Sequence, residues 1–259
     1  MSLNISSKLK ISFALFALTA IVYTACKKVD SKPVTKTDNS KIVEQIAINV
    51  YNSLSASNSG PGIQSSTKLR LNNTAGIFCG YKKDTVYIRD DNHGDTIKSH
   101  TSETVKYKVT CDNDMAGYTS YDSLANNMTT PDFNLTRSNV LDFVVKSLND
   151  QYTKFTINGA MRIVSTIKPI TTTGANTLKY DMLKGSYTYK DVVFTYKKPE
   201  IDFTGATVTF EGTHVYDGGG VSYNSDSYAG SITFLTDHKA TIIYNGTTYT
   251  VDLVTGKVI

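Results

Sequence analysis

From about residue 76 to the C-terminus the chain alternates apolar and polar residues with a period of two, in runs broken by turn formers. That rhythm leaves it little to fold into except β-sheet. Val105, Tyr107, Val109 and Cys111 alternate with Lys106, Lys108 and Thr110, and Ala206, Val208 and Phe210 alternate with Thr207 and Thr209. Successive side chains of a strand point to opposite faces, so each run has one apolar and one wet face, as antiparallel sheets do. Val140 to Leu148 also fits a helical stripe, through Val140, Leu141, Val144, Val145 and Leu148. A strand is favoured there, because Asn149-Asp150 makes a turn into the clear strand Lys154 to Val164.

The sharpest local signal is the hairpin Ala240 to Leu253 around Asn245-Gly246, a dipeptide that tolerates the positive φ angles of a two-residue turn. In that register Tyr244 faces Thr247, Ile242 faces Tyr249 and Ala240 faces Val251, so the apolar side chains of both strands share a face. Ile232 and Phe234 add a preceding strand to the same meander, and no fixed-period repeat is present. Before the strands, Ile42, Ile46, Val50 and Leu54 recur every four residues with Val43 and Ala47 beside them, the stripe of an amphipathic helix. Asn39 or Ser40 caps its start, and Ser57-Asn58-Ser59-Gly60-Pro61-Gly62 opens a loop after it. The expected fold is mainly β: one antiparallel meander with a single N-terminal amphipathic helix on its apolar face. A sheet this long either curls into a half-barrel or splits into a two-layer sandwich, and the sequence leaves both open.

The first 25 residues are laid out as a signal peptide, with Lys8 and Lys10 ahead of the uncharged run Ile11 to Tyr23. As a helix that run reaches roughly 20 Å, short of the roughly 30 Å core of a bilayer, so it is read as cleavable. Thr24-Ala25-Cys26 follows and resembles the lipobox of bacterial lipoproteins. The resemblance implies that Cys26 is acylated and becomes the first residue of the mature chain, which is thereby held on a membrane. Two or three acyl chains give stable residence where one is marginal. Lys27 to Asn39 is polar and aperiodic, contains Pro33, and reads as a flexible tether. The expected organisation is signal 1–25, tether 26–39 and one domain 40–259. The mature chain keeps 25 Lys+Arg against 23 Asp+Glu, a net charge of +2, and nothing in it points to nucleic acid.

With the lipobox, the helix, Cys79 and Cys111, and the closing Thr233-Phe234-Leu235 and Tyr249 to Lys257 segments in view, the chain resembles lipoproteins of the Bacteroidota, a group with no established activity to carry over. The resemblance implies residence at the outer membrane. Surface export in that phylum resembles a short acidic patch after the acylated cysteine, and only Asp30 of Lys27-Lys28-Val29-Asp30 is acidic, so the leaflet stays open. It also implies O-glycosylation at Asp followed by Ser or Thr and an aliphatic residue. Asp84-Thr85-Val86, Asp95-Thr96-Ile97 and Asp122-Ser123-Leu124 match, making Thr85, Thr96 and Ser123 the acceptors.

Export places Cys79 and Cys111 in an oxidising compartment. If Ile77, Cys79 and Tyr81 share a strand face, and Val109 and Cys111 another, the thiols meet across paired strands as a disulfide. Two separate reduced cysteines are the rival, and a redox or metal pair is disfavoured because there is neither Cys-x-x-Cys nor a nearby His. His93, His100, His214 and His238 are never three or four apart and read as solvated loop or strand-end residues. Asp90-Asp91-Asn92-His93-Gly94-Asp95 and Asp112-Asn113-Asp114 lack the alternating ligands of a calcium loop and read as turns. Gly218-Gly219-Gly220 lacks the Lys-Ser/Thr of a phosphate loop, and Gly220-Val221-Ser222-Tyr223-Asn224 lacks the second glycine of a nucleophile elbow. Tyr180, Tyr187, Tyr189 and Tyr196, interleaved with lysines, are either half-buried strand residues or a ligand platform.

No catalytic, metal or cofactor motif is found, so the expected function is non-catalytic: binding, carriage or surface structure at the envelope, with a lipid or glycan as ligand. The rival is an envelope hydrolase, a glycosidase or esterase, whose site is assembled from scattered Asp, Glu, Ser and His.

Overall fold

The computed structural model describes residues 39–54, 79–93, 96–112, 115–150, 153–169, 181–197, 200–204, 206–217 and 223–259. Helix α1, Asn39–Leu54, follows the four-residue stripe and is the single helix among the described residues. The strands are β1 Lys82–His93, β2 Ile97–Asp112, β3 Met115–Thr129, β4 Phe133–Ser147, β5 Lys154–Pro169, β6 Asp181–Lys197, β7 Glu200–Thr204, β8 Thr207–Asp217, β9 Tyr223–Phe234, β10 Lys239–Tyr244 and β11 Thr247–Asp252. All belong to one antiparallel sheet whose order is the sequence order, with β7 and β8 end to end along the same edge of β6. Among the described residues the strands form one continuous sheet that runs from β1 to β11 and is not closed.

Val140 to Leu148 falls almost wholly in β4, as its turn into β5 requires; Asn149 Oδ1 accepts the backbone N–H groups of Thr153 and Lys154 at 3.0 and 3.1 Å. The C-terminal hairpin pairs Ala240 with Val251, Ile242 with Tyr249 and Tyr244 with Thr247. Asn245 and Gly246 take φ of 46° and 81°, the left-handed pair that a tight hairpin turn needs. Ile232 and Phe234 pair with Ile242 and Ala240, which extends the meander as the apolar pattern demands.

One irregularity bends the long strands. The apolar phase of β6 slips from odd positions, Tyr187 and Tyr189, to even ones, Val192 and Phe194, across Asp191 with φ of 50°. The β5 register shifts opposite it, between Ile157 and Gly159, and Asn158 closes the bulge by donating to Asp191 Oδ1 at 3.0 Å while accepting the Asp191 N–H at 2.9 Å.

Val43, Ile46, Ala47, Val50 and Leu54 are fully buried and share a core with Val109, Tyr118, Val145, Phe155, Ile157, Tyr187, Val208, Ile232 and Val251. The face of the sheet that carries these residues is called inner below. Each fully buried aliphatic side chain contributes roughly 1.5–3 kcal/mol, so a short helix is held by its packing and not by its propensity. Polar contacts fix its position: Asn49 Nδ2 donates to Tyr187 Oη at 3.5 Å, and Glu44 receives Lys257 Nζ at 3.2 Å.

Cys79 and Cys111 are joined in a disulfide with a Cα separation of 5.6 Å. Cys79 lies in a turn ahead of β1 and not on a strand; the β1–β2 pairing nonetheless continues past Lys82, because Gly80 N donates to Val109 O and Val109 N to Tyr81 O at 3.0 and 2.8 Å. The signal, Cys26, the tether up to residue 38, Ile77, the loop 57–62, Tyr180 and Gly218-Gly219-Gly220 lie outside the described residues, whereas Asn39, expected to end the tether, already belongs to α1.

Candidate polar site on the inner face

Register turns the inner face into rows running across the strands. The row Tyr107, Ser120, Phe143, Gly159, Tyr189, Val208, Ile232 and Ile242 is mostly apolar. Two rows further along, Glu103, Leu124, Asn139, Ile163, Gly185, Gly212 and Tyr228 align; the next row holds Thr101, Asn126, Arg137, Ser165, Leu183 and His214. The inner face therefore changes from apolar to polar along its strands, and this buried polar stretch is called the recess below.

Glu103, Asp122 and Asn139 are each only 5% exposed. Asp122 sits opposite Val105 and Leu141, which makes it a diagonal neighbour of both Glu103 and Asn139 on the same face. Glu103 Oε1, Asp122 Oδ1 and Asn139 Oδ1 have no hydrogen-bond partner among the described residues. Asn126 does not serve them, since its Nδ2 donates to Ser99 Oγ and Thr101 Oγ1 at 2.9 and 2.8 Å. Arg89 Nε is engaged at 2.6 Å by Asp91 Oδ2. Three buried oxygens thus lack a hydrogen-bond partner on one part of the inner face, an arrangement that costs free energy unless a proton or a ligand completes it.

Electrostatics follow from that burial. The Asp122 carboxyl is pushed up to about 7, first by desolvation and then by the neighbouring Glu103 charge. Glu103 is raised by burial and partly restored by Arg89, and burial lowers the Arg137 guanidinium. A carboxyl raised in the folded protein holds its proton more tightly there than in the unfolded chain. Stability is therefore greatest below the ordinary carboxylate range and falls as pH climbs through about 7. The loss is on the order of 2–4 kcal/mol. Urea unfolding across that range should show this loss in the wild type and a flatter profile in Asp122→Asn; parallel profiles would refute it.

Beside the recess, His214 lies in mid-strand in β8 and is buried, not a solvated strand-end residue as its sequence neighbours suggest. Its Nε2 contacts Asp181 Oδ1 at 3.1 Å and its ring stacks on Tyr216. Tyr228 packs against Gly212, where a Cβ would sit 2.4 Å from its ring, and it donates to Lys184 O at 2.8 Å. Tyr187 and Tyr189 are buried in the core and form no exposed platform.

Other expectations are corrected by position. Asp90, Asp91, Asn92 and His93 belong to strand β1 and not to a turn, and Asp90 Oδ1 pairs with His100 Nδ1 at 2.7 Å inside the sheet pairing. His100 is likewise a strand residue, in β2. Of the three glycosylation motifs, Thr96 is exposed in the turn before β2, whereas Thr85 and Ser123 are half-buried within β1 and β3. Glu103, Asp122 and Asn139 were missed. The signal for them is phase: Glu103 keeps step with Val105 and Val109, Asp122 with Tyr118, and Asn139 with Phe143 and Val145. Polar residues in the apolar phase mark a buried polar site. No protein-family model, curated protein or solved structure matches this chain.

Proposed function

We propose that this chain is a bacterial envelope lipoprotein, acylated at Cys26 and resident at the outer membrane, which captures a hydrogen-bond-donating ligand of glycan type in the polar recess without transforming it. The observation that carries the reading is the trio of buried, unpartnered acceptors at Glu103, Asp122 and Asn139. A site with acceptors to spare is complementary to a molecule rich in donors. The apolar part of the inner face is occupied by α1, which takes the place an acyl chain would need and weighs against a lipid ligand. Among the described residues no helix is long and apolar enough to cross a membrane. Thr96, exposed in its turn, is the acceptor we assign to O-glycosylation.

Two measurements on protein from its own host test this. Intact mass should show acyl chains that Cys26→Ala loses, together with a glycan excess that Thr96→Ala loses. A glycan array should retain the wild type, and Asn139→Leu, which removes a buried acceptor, should weaken retention about tenfold or more. An unmodified Cys26, or retention indifferent to the recess, would contradict the proposal.

The Glu103–Asp122 pair favours one rival, a hydrolase using two carboxyl groups in unequal environments. Turnover of a glycoside, abolished by Glu103→Gln with the fold intact, would select that reading instead.

A further inference from the structure

We propose that the recess receives a primary ammonium group, with Glu103, Asp122 and Asn139 each accepting one of its three N–H donors. This rests on the binding reading above and narrows its ligand class to amines. The pairing rows place the three side chains at the corners of a triangle on adjacent strands, Asp122 diagonal to the other two. An ammonium carries three donors and no lone pair, so it satisfies three acceptors without presenting one of its own. A hydroxyl brings one donor, and its lone pairs then face oxygen. Charge points the same way, because two neighbouring buried carboxyl groups repel unless a cation or a proton lies between them.

Among the described residues, the cations facing the trio do not donate to its unpartnered oxygens. On β1, Arg89 offsets the burial of Glu103 only in part and is held at its Nε by Asp91, and Tyr87 stands opposite Glu103. On β4, Arg137 aligns with Asn126 in the next row, and no unpartnered oxygen of the trio accepts from it. β5 brings Ile163 and Ser165, neither of which titrates. Beyond them, His214 pairs with Asp181. In the free protein below about pH 7 the compensating charge is a proton held by Asp122, which burial and then the Glu103 charge raise to about 7. An incoming ammonium displaces that proton to solvent, so binding releases one proton and strengthens as pH rises.

The test is calorimetric titration of the full lipoprotein in detergent with D-glucamine and with D-sorbitol, which carries a hydroxyl in place of the ammonium. Running about pH 6 against about pH 8, in buffers of different ionisation enthalpy, reads the proton. Glucamine should bind at least about tenfold tighter than sorbitol at the higher pH and about tenfold tighter there than at the lower, with close to one proton released at about pH 6 and about a tenth of one at about pH 8. Asp122→Asn should abolish the pH dependence and weaken glucamine about tenfold, with Glu103→Gln as the second variant and thermal melting as the check on folding. Equal binding of both probes, independent of pH, would overturn the ammonium site while leaving the capture reading standing. Failure of both probes, with a neutral glycan still retained on the array, would do the same. Failure of both probes and of the array would end both readings.

Discussion

Ile46→Asp should cost 5 kcal/mol or more, enough to leave the protein without a cooperative unfolding transition at ambient temperature. Ile46 is 0% exposed at the centre of the α1 stripe, between Ile42 and Val50 on the same side of the helix. Losing the aliphatic side chain forfeits roughly 2–3 kcal/mol of burial. Burying an unpaired carboxyl in its place adds several kcal/mol more, because none of the core residues around it offers a countercharge. Ile46→Val, which deletes one methylene, should cost only about 1 kcal/mol, and Lys41→Gln, at an exposed position, about zero. Near-UV dichroism and urea unfolding of the three variants give the comparison. An Ile46→Asp protein that unfolds like the wild type would mean that α1 is not docked, and the argument that it excludes an acyl chain from the inner face would fall with it.

Much of this fold was legible in the sequence, for reasons particular to its strands. Period-two alternation states which residues share a face, and Asn245-Gly246 fixes a register, so the last hairpin was readable pair by pair. The meander helps further, because spatial neighbours are sequence neighbours except where β7 and β8 divide one edge of β6. What alternation does not state is where on a face the core stops. Glu103 and Asp122 stand in phase with Val105 and Tyr118, yet only the pairing of β2, β3 and β4 brings them beside Asn139. His214 was misjudged for the same reason: its local surroundings are polar, but its place in the β8 phase buries it beside Asp181. Asp90 to His93 was misread because turn formers outnumber strand formers there, whereas pairing with Ile97 to His100 carries the strand through them. Propensity yields to tertiary pairing at such places.

Removing the Cys79–Cys111 bridge should lower stability by about 3–4 kcal/mol, since the bond joins residues 32 apart in sequence and restricts the unfolded chain accordingly. The folded side of the balance should change little. β1 still pairs with β2 along its whole length, and both cysteines are exposed, so serine at either position meets water and leaves no cavity. The Cys79→Ser/Cys111→Ser double variant should therefore keep the wild-type dichroism and unfold at lower urea, and dithiothreitol should bring the wild type to the same midpoint. Cys79→Ser alone should match the double variant, because the partner thiol has no other cysteine within the folded domain to join. The loss should concentrate at the sheet edge: hydrogen exchange in β1, which pairs on one side only, should quicken first, while β5 and β6, paired on both sides, stay protected. Uniform acceleration across all strands would show instead that the sheet opens only as a whole. An unchanged urea midpoint would show that the unfolded chain is already compact enough for the bridge to add nothing. Disulfides persist chiefly in oxidising compartments, so the same variant bears on the proposed envelope location. Protein made in a reducing cytoplasm should have the stability of the double variant, and protein recovered from the envelope should have that of the bridged form.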